Sequence, residues 1–323
     1  MLQGLVTGAS RLLEGFGRSL LRPPAAGQRE NRRTAAARSA SRFLPLQRVV
    51  LTDDVGRTLF EEYAAHHAGS RGEEETGWVL LGVREPEEAV VLATLPAGAA
   101  RNAGVGHVQF NSCGQVVGSR IVRQRDRRLG IVGIVHTHPG SLRHPSEGDL
   151  RGDSQWVSQL RGHEGVFAIG TADGTPQGNG TAVAYQPRQH VQCLDKLRFS
   201  WYALRQGERN YRALPVAYTL GPDLARPLHS VWPLIEVHAD RLDRLCRQQT
   251  GVTFEVVAGN RGPALAVSIP LAEAGQAIRV VIEDEEVRYF LVRRGQVLAA
   301  NPRDDRIDRA VYLLLAELAA KTT

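Results

Sequence analysis

The sequence predicts an α/β (α+β) fold in which a mixed sheet is flanked by helices. Short apolar segments of strand length alternate with amphipathic segments of helical period, and this interleaving is typical of such folds. Apolar side chains make up 42% of the 323 residues, which is ordinary for a globular protein. Two Gly/Pro-containing pairs, Gly221-Pro222 and Arg226-Pro227, then interrupt the pattern and indicate a domain boundary. We therefore expect three segments, at 1–42, 43–220 and 221–323.

Residues 1–42 carry the charge of the chain. They hold eight Arg against two Glu, and their net charge equals the +6 of the whole sequence. Apolar residues at three-to-four spacing, followed by Pro23-Pro24, predict a basic amphipathic helix over 1–22, and the Ala-, Arg- and Ser-rich stretch 25–42 predicts a flexible linker. Arg11, Glu14 and Arg18 interrupt the apolar residues too often for the core of a signal peptide, whereas the composition is also compatible with a transit peptide. Because residues 43–323 are neutral overall, we do not expect a nucleic-acid groove on the folded part of the chain. The apolar face of the helix 1–22 could be covered by a membrane surface, by a protein or by the rest of the chain.

The segment 43–220 shows the clearest alternation of strands and helices. Helices are predicted at 54–67, at 114–127 and from 146 or 149 to 160. Strands are predicted at 48–51, 77–83, 89–95, 107–110, 131–138, 166–171 and 181–185, with a hairpin formed by 199–204 and 211–218.

The segment 221–323 is predicted to be a small, separate α+β domain of unknown role. Its order is a helix at 232–249, strands at 253–257, 265–269, 278–282 and 287–292, and a helix at 306–320. The three cysteines, Cys113, Cys193 and Cys246, are widely spaced and odd in number. They predict a reducing, cytoplasmic environment without a disulfide framework.

The stretch HTHPGSLRHPSEGDL, residues 136–150, raises the question of a metal site. His136 and His138 end an apolar strand, where residues i and i+2 point to the same face. Such a pair is often a surface accident, but Asp149 follows at the start of the next helix, where a loop can return it to the strand end. Two histidines and one carboxylate form the arrangement of a catalytic zinc site, whose open fourth position holds a water with a pKa lowered to about 7.

Two further residues complete a hydrolytic set. Ser146 lies three residues before Asp149, so it is a candidate N-cap of a capping box and also a candidate donor to an oxyanion. Glu75 opens the apolar strand 77–83, which makes it the candidate general base outside the metal ligands. Glu73 and Glu74 are expected to continue the solvated loop. His144, Glu147 and Asp153 are expected to be solvated loop residues or charges at the N-terminus of the helix.

These five positions resemble the signature of the JAMM (MPN+/JAB) zinc metalloproteases. That signature begins with a glutamate, which a long gap separates from an H-[ST]-H-P motif. A serine follows, separated by seven residues from the second histidine, and an aspartate follows the serine after two further residues. Here it reads Glu75, His136-Thr137-His138-Pro139, Ser146 and Asp149, within an E-T-G-x-x-L-x-G context around Glu75. The resemblance covers about 45–185 and implies a JAB/MPN-type sheet, one Zn²⁺ per chain on His136, His138 and Asp149, Glu75 as base and Ser146 on the oxyanion.

The resemblance also implies the substrate class. Members of this family cleave peptide or isopeptide bonds after the C-terminal glycines of ubiquitin-like proteins, and bacterial members occur with relatives of ubiquitin-activating and ubiquitin-conjugating enzymes, in systems of which several are antiviral. The alternatives are a JAB peptidase for a sulfur-carrier or other small β-grasp protein, and a non-catalytic MPN scaffold. The element order of 221–323 is similar to that of RWD domains and ubiquitin-conjugating enzymes, which predicts protein docking.

Overall fold

The computed structural model describes residues 43–104, 106–173, 184–284, 286–302, 304 and 306–320. The predicted helix at 1–22, the linker at 25–42 and most of the predicted strand at 181–185 lie outside the described residues. Within the described part, no helix is both long enough and apolar enough to cross a membrane.

A mixed sheet of ten strands organises the first part of the chain, as the sequence predicts. Nine strands follow one another in the order β12-β1-β3-β2-β6-β7-β10-β9-β8, and β11 pairs with β10. The pairs β12–β1, β1–β3 and β6–β7 are parallel. The strands are β1 (Arg48–Thr52), β2 (Gly77–Arg84), β3 (Glu88–Pro96), β6 (Gly130–Thr137), β7 (Glu164–Thr171), β8 (Tyr185–Arg188), β9 (Val191–Leu194), β10 (Leu197–Arg205), β11 (Arg212–Ala213) and β12 (Val216–Thr219), while β4 (Asn102–Gly104) and β5 (His107–Gln109) form a separate hairpin.

Helices cover both faces of this sheet. Helix α1 (Asp53–Ala68) buries Leu59, Phe60 and Tyr63 against one face, where Trp78 and Phe199 lie. Helices α2 (Ser112–Arg123) and α3 (Glu147–Trp156) pack on the opposite face. The alternating apolar residues of the strands thus fill two apolar layers, one on each side of the sheet.

The C-terminal part forms a second sheet that shares its core with the first. After the short α4 (Arg226–His229) and the long α5 (Trp232–Gln248), an antiparallel meander runs through β13 (Thr253–Ala258), β14 (Pro263–Pro270), β15 (Gln276–Glu283), β16 (Glu286–Arg293) and β17 (Gln296–Ala300) to α6 (Ile307–Ala320). Trp232 and Leu242 of α5 belong to the same apolar cluster as Val117 of α2 and Val267 of β14. Helix α5 therefore joins the two sheets through one continuous core.

The structure differs from the predicted strands in one pairing and in one additional strand. The expected hairpin of 199–204 with 211–218 exists only at β11, because β12 leaves β10 and pairs in parallel with β1 at the far edge of the sheet. The C-terminal sheet has a fifth strand, β17, whose exposed Val297 and Leu298 do not show the alternation of a half-buried strand.

Gly133 tests the packing that holds the strand carrying the histidines. A Cβ atom at Gly133 would lie 1.6 Å from the carbonyl oxygen of Val166 on β7, so Gly133→Ala must force β6 and β7 apart. We expect a loss of about 1–3 kcal/mol in the free energy of unfolding, the usual scale of overpacking, measured by urea denaturation. Gly130→Ala is the control, since a Cβ there meets no atom within 4 Å. Equal stability of the two variants would contradict the described packing of β6 against β7.

Candidate metal centre

Two buried histidines project side by side from the end of β6. His136 is 5% and His138 is 7% exposed, and their Nε2 atoms lie 3.1 Å apart. This is the geometry that the i, i+2 spacing predicts, because alternate residues of a strand share a face. Two imidazole nitrogens so close together and so poorly hydrated need a proton or a metal ion between them.

The loop after β6 fixes the orientation of His138. Its Nδ1 lies 2.9 Å from the carbonyl oxygen of Leu142, so Nδ1 carries the hydrogen and donates it. The lone pair of Nε2 therefore points towards His136. A metal-binding histidine is ordinarily held in this way by a second hydrogen bond on its other nitrogen.

Asp149 reaches the two histidines from the first turn of α3. Its Oδ1 lies 3.3 Å from Nε2 of His136, and its Oδ2 lies 3.4 Å from Nε2 of His138. A complete capping box holds the carboxylate, since the Ser146 N–H donates to Asp149 Oδ2 at 2.6 Å and the Asp149 N–H donates to Ser146 Oγ at 3.2 Å. The predicted N-cap role of Ser146 is thus present, and its hydroxyl hydrogen has no acceptor among the described residues.

The donor set fits a metal ion. One ligand atom from each of His136, His138 and Asp149 lies within 4.8 Å of the others. The Asp149 carboxylate outweighs the effect of burial and raises the pKa of His136 to about 9, so the site favours a positive charge. Burial acts against ionised Asp149, yet the imidazoles and the Ser146 N–H hold its pKa well below the usual value. Two imidazoles and one carboxylate are the protein ligands of an open, catalytic type of zinc site.

Glu75 lies beside this cluster but is not one of the three ligands. It precedes β2, which pairs with β6 so that Gly77 lies opposite His136. Burial raises the pKa of the Glu75 carboxyl to about 7, against the lowering influence of His136 and His138. Glu73 is exposed and Glu74 is bound to Arg71 at 2.6 Å, so among the three glutamates Glu75 alone is buried next to the metal ligands.

The interpretation of Asp153 as a solvated charge is wrong. Asp153 is 3% exposed and accepts hydrogen bonds from the Tyr211 hydroxyl at 2.6 Å and from the Trp156 indole at 3.3 Å. Burial raises the pKa of this carboxyl to about 7. Because Tyr211 is 58 positions further along the chain, only the fold could reveal this contact. Asp153 ties α3 to the segment after β10 and thereby supports the turn that carries Asp149, whereas His144 and Glu147 are exposed as expected.

The comparison with protein families gave a match over the segment that carries this site. Residues 57–183 match the family of prokaryotic homologs of the JAB domain, and all five candidate site residues lie within this range. The segment 57–183 is therefore similar to JAB domains of the MPN family. The comparison with curated proteins gave no match. One solved structure that resembles the chain is that of protein DSY2949 from Desulfitobacterium hafniense, at 14% identity and a TM-score of 0.35, covering 54% of this chain and 95% of that one.

The metal site can be tested by its zinc content. We expect about one zinc ion per purified chain and its loss in His136→Ala and in Asp149→Ala, because only three protein ligands would hold it. His144→Ala is the control, since this exposed histidine lies in the same loop but outside the cluster. Metal content is measured by atomic emission after dialysis. Full zinc retention in a His136→Ala/His138→Ala double variant would contradict the site.

The buried Asp153 predicts a specific dependence of stability on pH. Its pKa is raised in the folded protein, so the folded state binds a proton that the unfolded state releases above pH 3.8. The Asp153 contribution to stability therefore falls as pH rises from about 4 to about 7. Asp153→Asn, which imitates the protonated form, should gain stability relative to the parent across this range. Urea denaturation of the two metal-free proteins measures the difference in their free energies of unfolding. If this difference is the same at all pH values, the burial of the Asp153 carboxyl is contradicted.

Proposed function

We propose that this protein is a zinc-dependent peptidase or isopeptidase that cleaves after the C-terminal glycines of a ubiquitin-like protein. The observation that carries the proposal is a buried carboxyl group, Glu75, with its pKa raised to about 7, beside a cluster of two histidines and one aspartate. Hydrolysis of an amide needs a group that can take up and release a proton near neutral pH. A purely structural metal site would have no use for such a group.

In this proposal His136, His138 and Asp149 hold the zinc ion. The ion would supply a Lewis acid that polarises the substrate carbonyl and lowers the pKa of water. His136 and His138 are oriented by the end of β6 and by the Leu142 carbonyl, and Asp149 is oriented by the capping box with Ser146. These fixed positions keep the three ligand atoms together without help from the substrate.

Glu75 moves the proton. Its carboxylate accepts a proton from the attacking water as the water oxygen bonds to the carbonyl carbon of the substrate. The protonated carboxyl then delivers this proton to the amine nitrogen when the carbon–nitrogen bond breaks, so that a carboxylic acid and an amine leave. A group with a pKa near 7 can perform both transfers, because neither its protonated nor its ionised form is strongly disfavoured at neutral pH.

Ser146 stabilises the negative charge that develops on the carbonyl oxygen. Its Oγ already accepts the Asp149 N–H, and this bond fixes the hydroxyl at the start of α3. The hydroxyl hydrogen stays available as a donor to the substrate oxygen. The capping role and the oxyanion role are therefore compatible in one side chain.

A cavity next to the metal ligands supports a polypeptide substrate. Its volume is about 430 Å³, and its lining includes Thr137 and the segment 139–141, which neighbour the two histidines in sequence, together with Tyr63, His67 and Glu73. An extended tail could lie in a cavity of this size, and glycines at the cleaved bond would let the substrate backbone approach the ligands closely. Ubiquitin-activating-like and ubiquitin-conjugating-like proteins would then be partners in the same pathway, and a cytoplasmic location stays a prediction.

A JAB peptidase for a sulfur-carrier or other small β-grasp protein is the second candidate, because the same site and the same glycine-ended tail would serve it. A non-catalytic MPN scaffold is disfavoured by the buried Glu75, since a scaffold gains nothing from keeping an ionisable group desolvated beside three metal-binding side chains.

Replacement of Glu75 separates an enzyme from a scaffold. Glu75→Gln keeps the shape and cannot accept the proton, so we expect zinc content to stay near one per chain and the cleavage rate to fall by at least ~10²-fold. Ser146→Ala should also retain zinc and lose roughly 10²–10³-fold in rate. The assay is release of a reporter amine joined through an amide to the C-terminal glycine of a ubiquitin-like protein, with zinc and substrate binding measured in parallel.

Glu87→Gln is the matched control, because Glu87 is exposed and lies outside both the cluster and the cavity. It should cleave like the parent protein. Parent-like cleavage by Glu75→Gln would remove Glu75 as the base, and tight binding of the tail without any cleavage by the parent would establish the scaffold instead.

A further inference from the structure

A second cavity, with a volume of about 530 Å³, lies between α2 and the loop that precedes β13. One wall consists of Arg120, Arg123 and Arg127 together with Gln124, and the other consists of the segment 251–253. The Gln124 side-chain oxygen accepts the Phe254 N–H at 3.1 Å, so the two walls are tied to each other. None of the five residues of the candidate metal centre lines this cavity.

The charge of this cavity is not balanced within the described part of the chain. Arg120 has an acidic neighbour, since its Nη2 lies 3.7 Å from Oδ1 of Asp243, but Arg247 also binds that carboxylate through Oδ2. Arg123 and Arg127 have no ion pair with any described residue, and no acidic residue lines the cavity. The Nε atoms of Arg120 and Arg123 are buried without a hydrogen-bond acceptor in the same part of the chain.

A purely structural explanation accounts for part of this arrangement. Arg120 and Arg123 lie in the last turn of α2, where the helix dipole favours positive charge. Arg127 lies beyond the helix, however, and three arginines that face one concave space repel each other. The dipole therefore explains why two arginines are tolerated and does not explain why three surround a cavity.

We propose that this cavity binds a small anion with more than one phosphate group, of which pyrophosphate is the simplest. A guanidinium group donates two parallel hydrogen bonds to a phosphate, and several guanidinium groups together match a ligand of multiple negative charge. The volume is in the range of small-ligand sites. Since no aromatic side chain lines the cavity, the phosphate groups and not a stacked base would be recognised. The ligand would bridge the first sheet's helix α2 to the C-terminal sheet and stabilise the contact between them.

Calorimetric titration of the full chain with pyrophosphate and with inorganic triphosphate tests the proposal. We expect about one site per chain, an affinity that weakens as salt increases, and a higher melting temperature with the ligand than without it. ATP, as a further arm, should bind no more tightly than inorganic triphosphate if the base makes no contact. Arg123→Gln/Arg127→Gln should weaken binding of triphosphate by at least about tenfold, because it removes two charge-assisted donors.

Arg125→Gln/Arg209→Gln is the matched control, because it removes the same charge from exposed positions outside the cavity. This control should bind triphosphate like the parent, and both variants should keep the melting temperature of the ligand-free parent within a few degrees. The proposal is overturned if neither phosphate binds at millimolar concentration, or if the control loses as much affinity as the cavity variant. It is also overturned if a single-stranded oligonucleotide binds while triphosphate does not, since the site would then be a nucleic-acid surface.

Discussion

The antiparallel pairing of β2 with β6 is the constraint on which the candidate active site depends. At the end of this pair the Thr137 N–H donates to the Thr76 carbonyl at 2.9 Å, and the Thr76 N–H donates to Thr137 Oγ1 at 2.9 Å. These bonds hold the residue before β2 beside the last residues of β6. Glu75 and the histidine pair therefore meet at one end of the sheet although 61 positions separate Thr76 from Thr137. Gly77, opposite His136, allows β2 and β6 to approach each other closely at this end, since a Cβ there would lie 2.5 Å from the Val135 carbonyl oxygen.

The electrostatics of the site follow from burial around this strand end. The two imidazoles, Glu75 and Asp153 are buried and Asp149 is partly buried, and each of these groups needs a counter-charge or a hydrogen bond. The capping box satisfies Asp149, and Tyr211 with Trp156 satisfies Asp153. What remains is a space between three ligand atoms that favours positive charge, with one carboxyl, Glu75, whose pKa burial has raised to about 7. A metal ion suits the space between the three ligand atoms, and the Glu75 carboxyl beside it is suited to carry a proton.

The sequence predicted the parts of this structure that depend on local spacing. The i, i+2 histidine pair, the capping box and the apolar strand after Glu75 each follow from a few neighbouring residues. The mixed α/β fold follows from the alternation of strand-length and helical segments along the chain. Features that depend on distant partners were missed. Strand β12 looks like the second arm of a hairpin until it is seen to pair with β1, and Asp153 looks solvated until Tyr211 covers it. The arginine cavity likewise needs α2 and the segment 251–253 to meet, which no local pattern records.

The central claim is that His136, His138 and Asp149 together hold one zinc ion. Anomalous X-ray scattering from crystals of the zinc-loaded protein, recorded on both sides of the zinc absorption edge, tests it most directly. The account predicts one strong anomalous peak about 2.0–2.2 Å from Nε2 of each histidine and from a carboxylate oxygen of Asp149. A zinc peak at another place, together with an empty position among these three side chains, would contradict it.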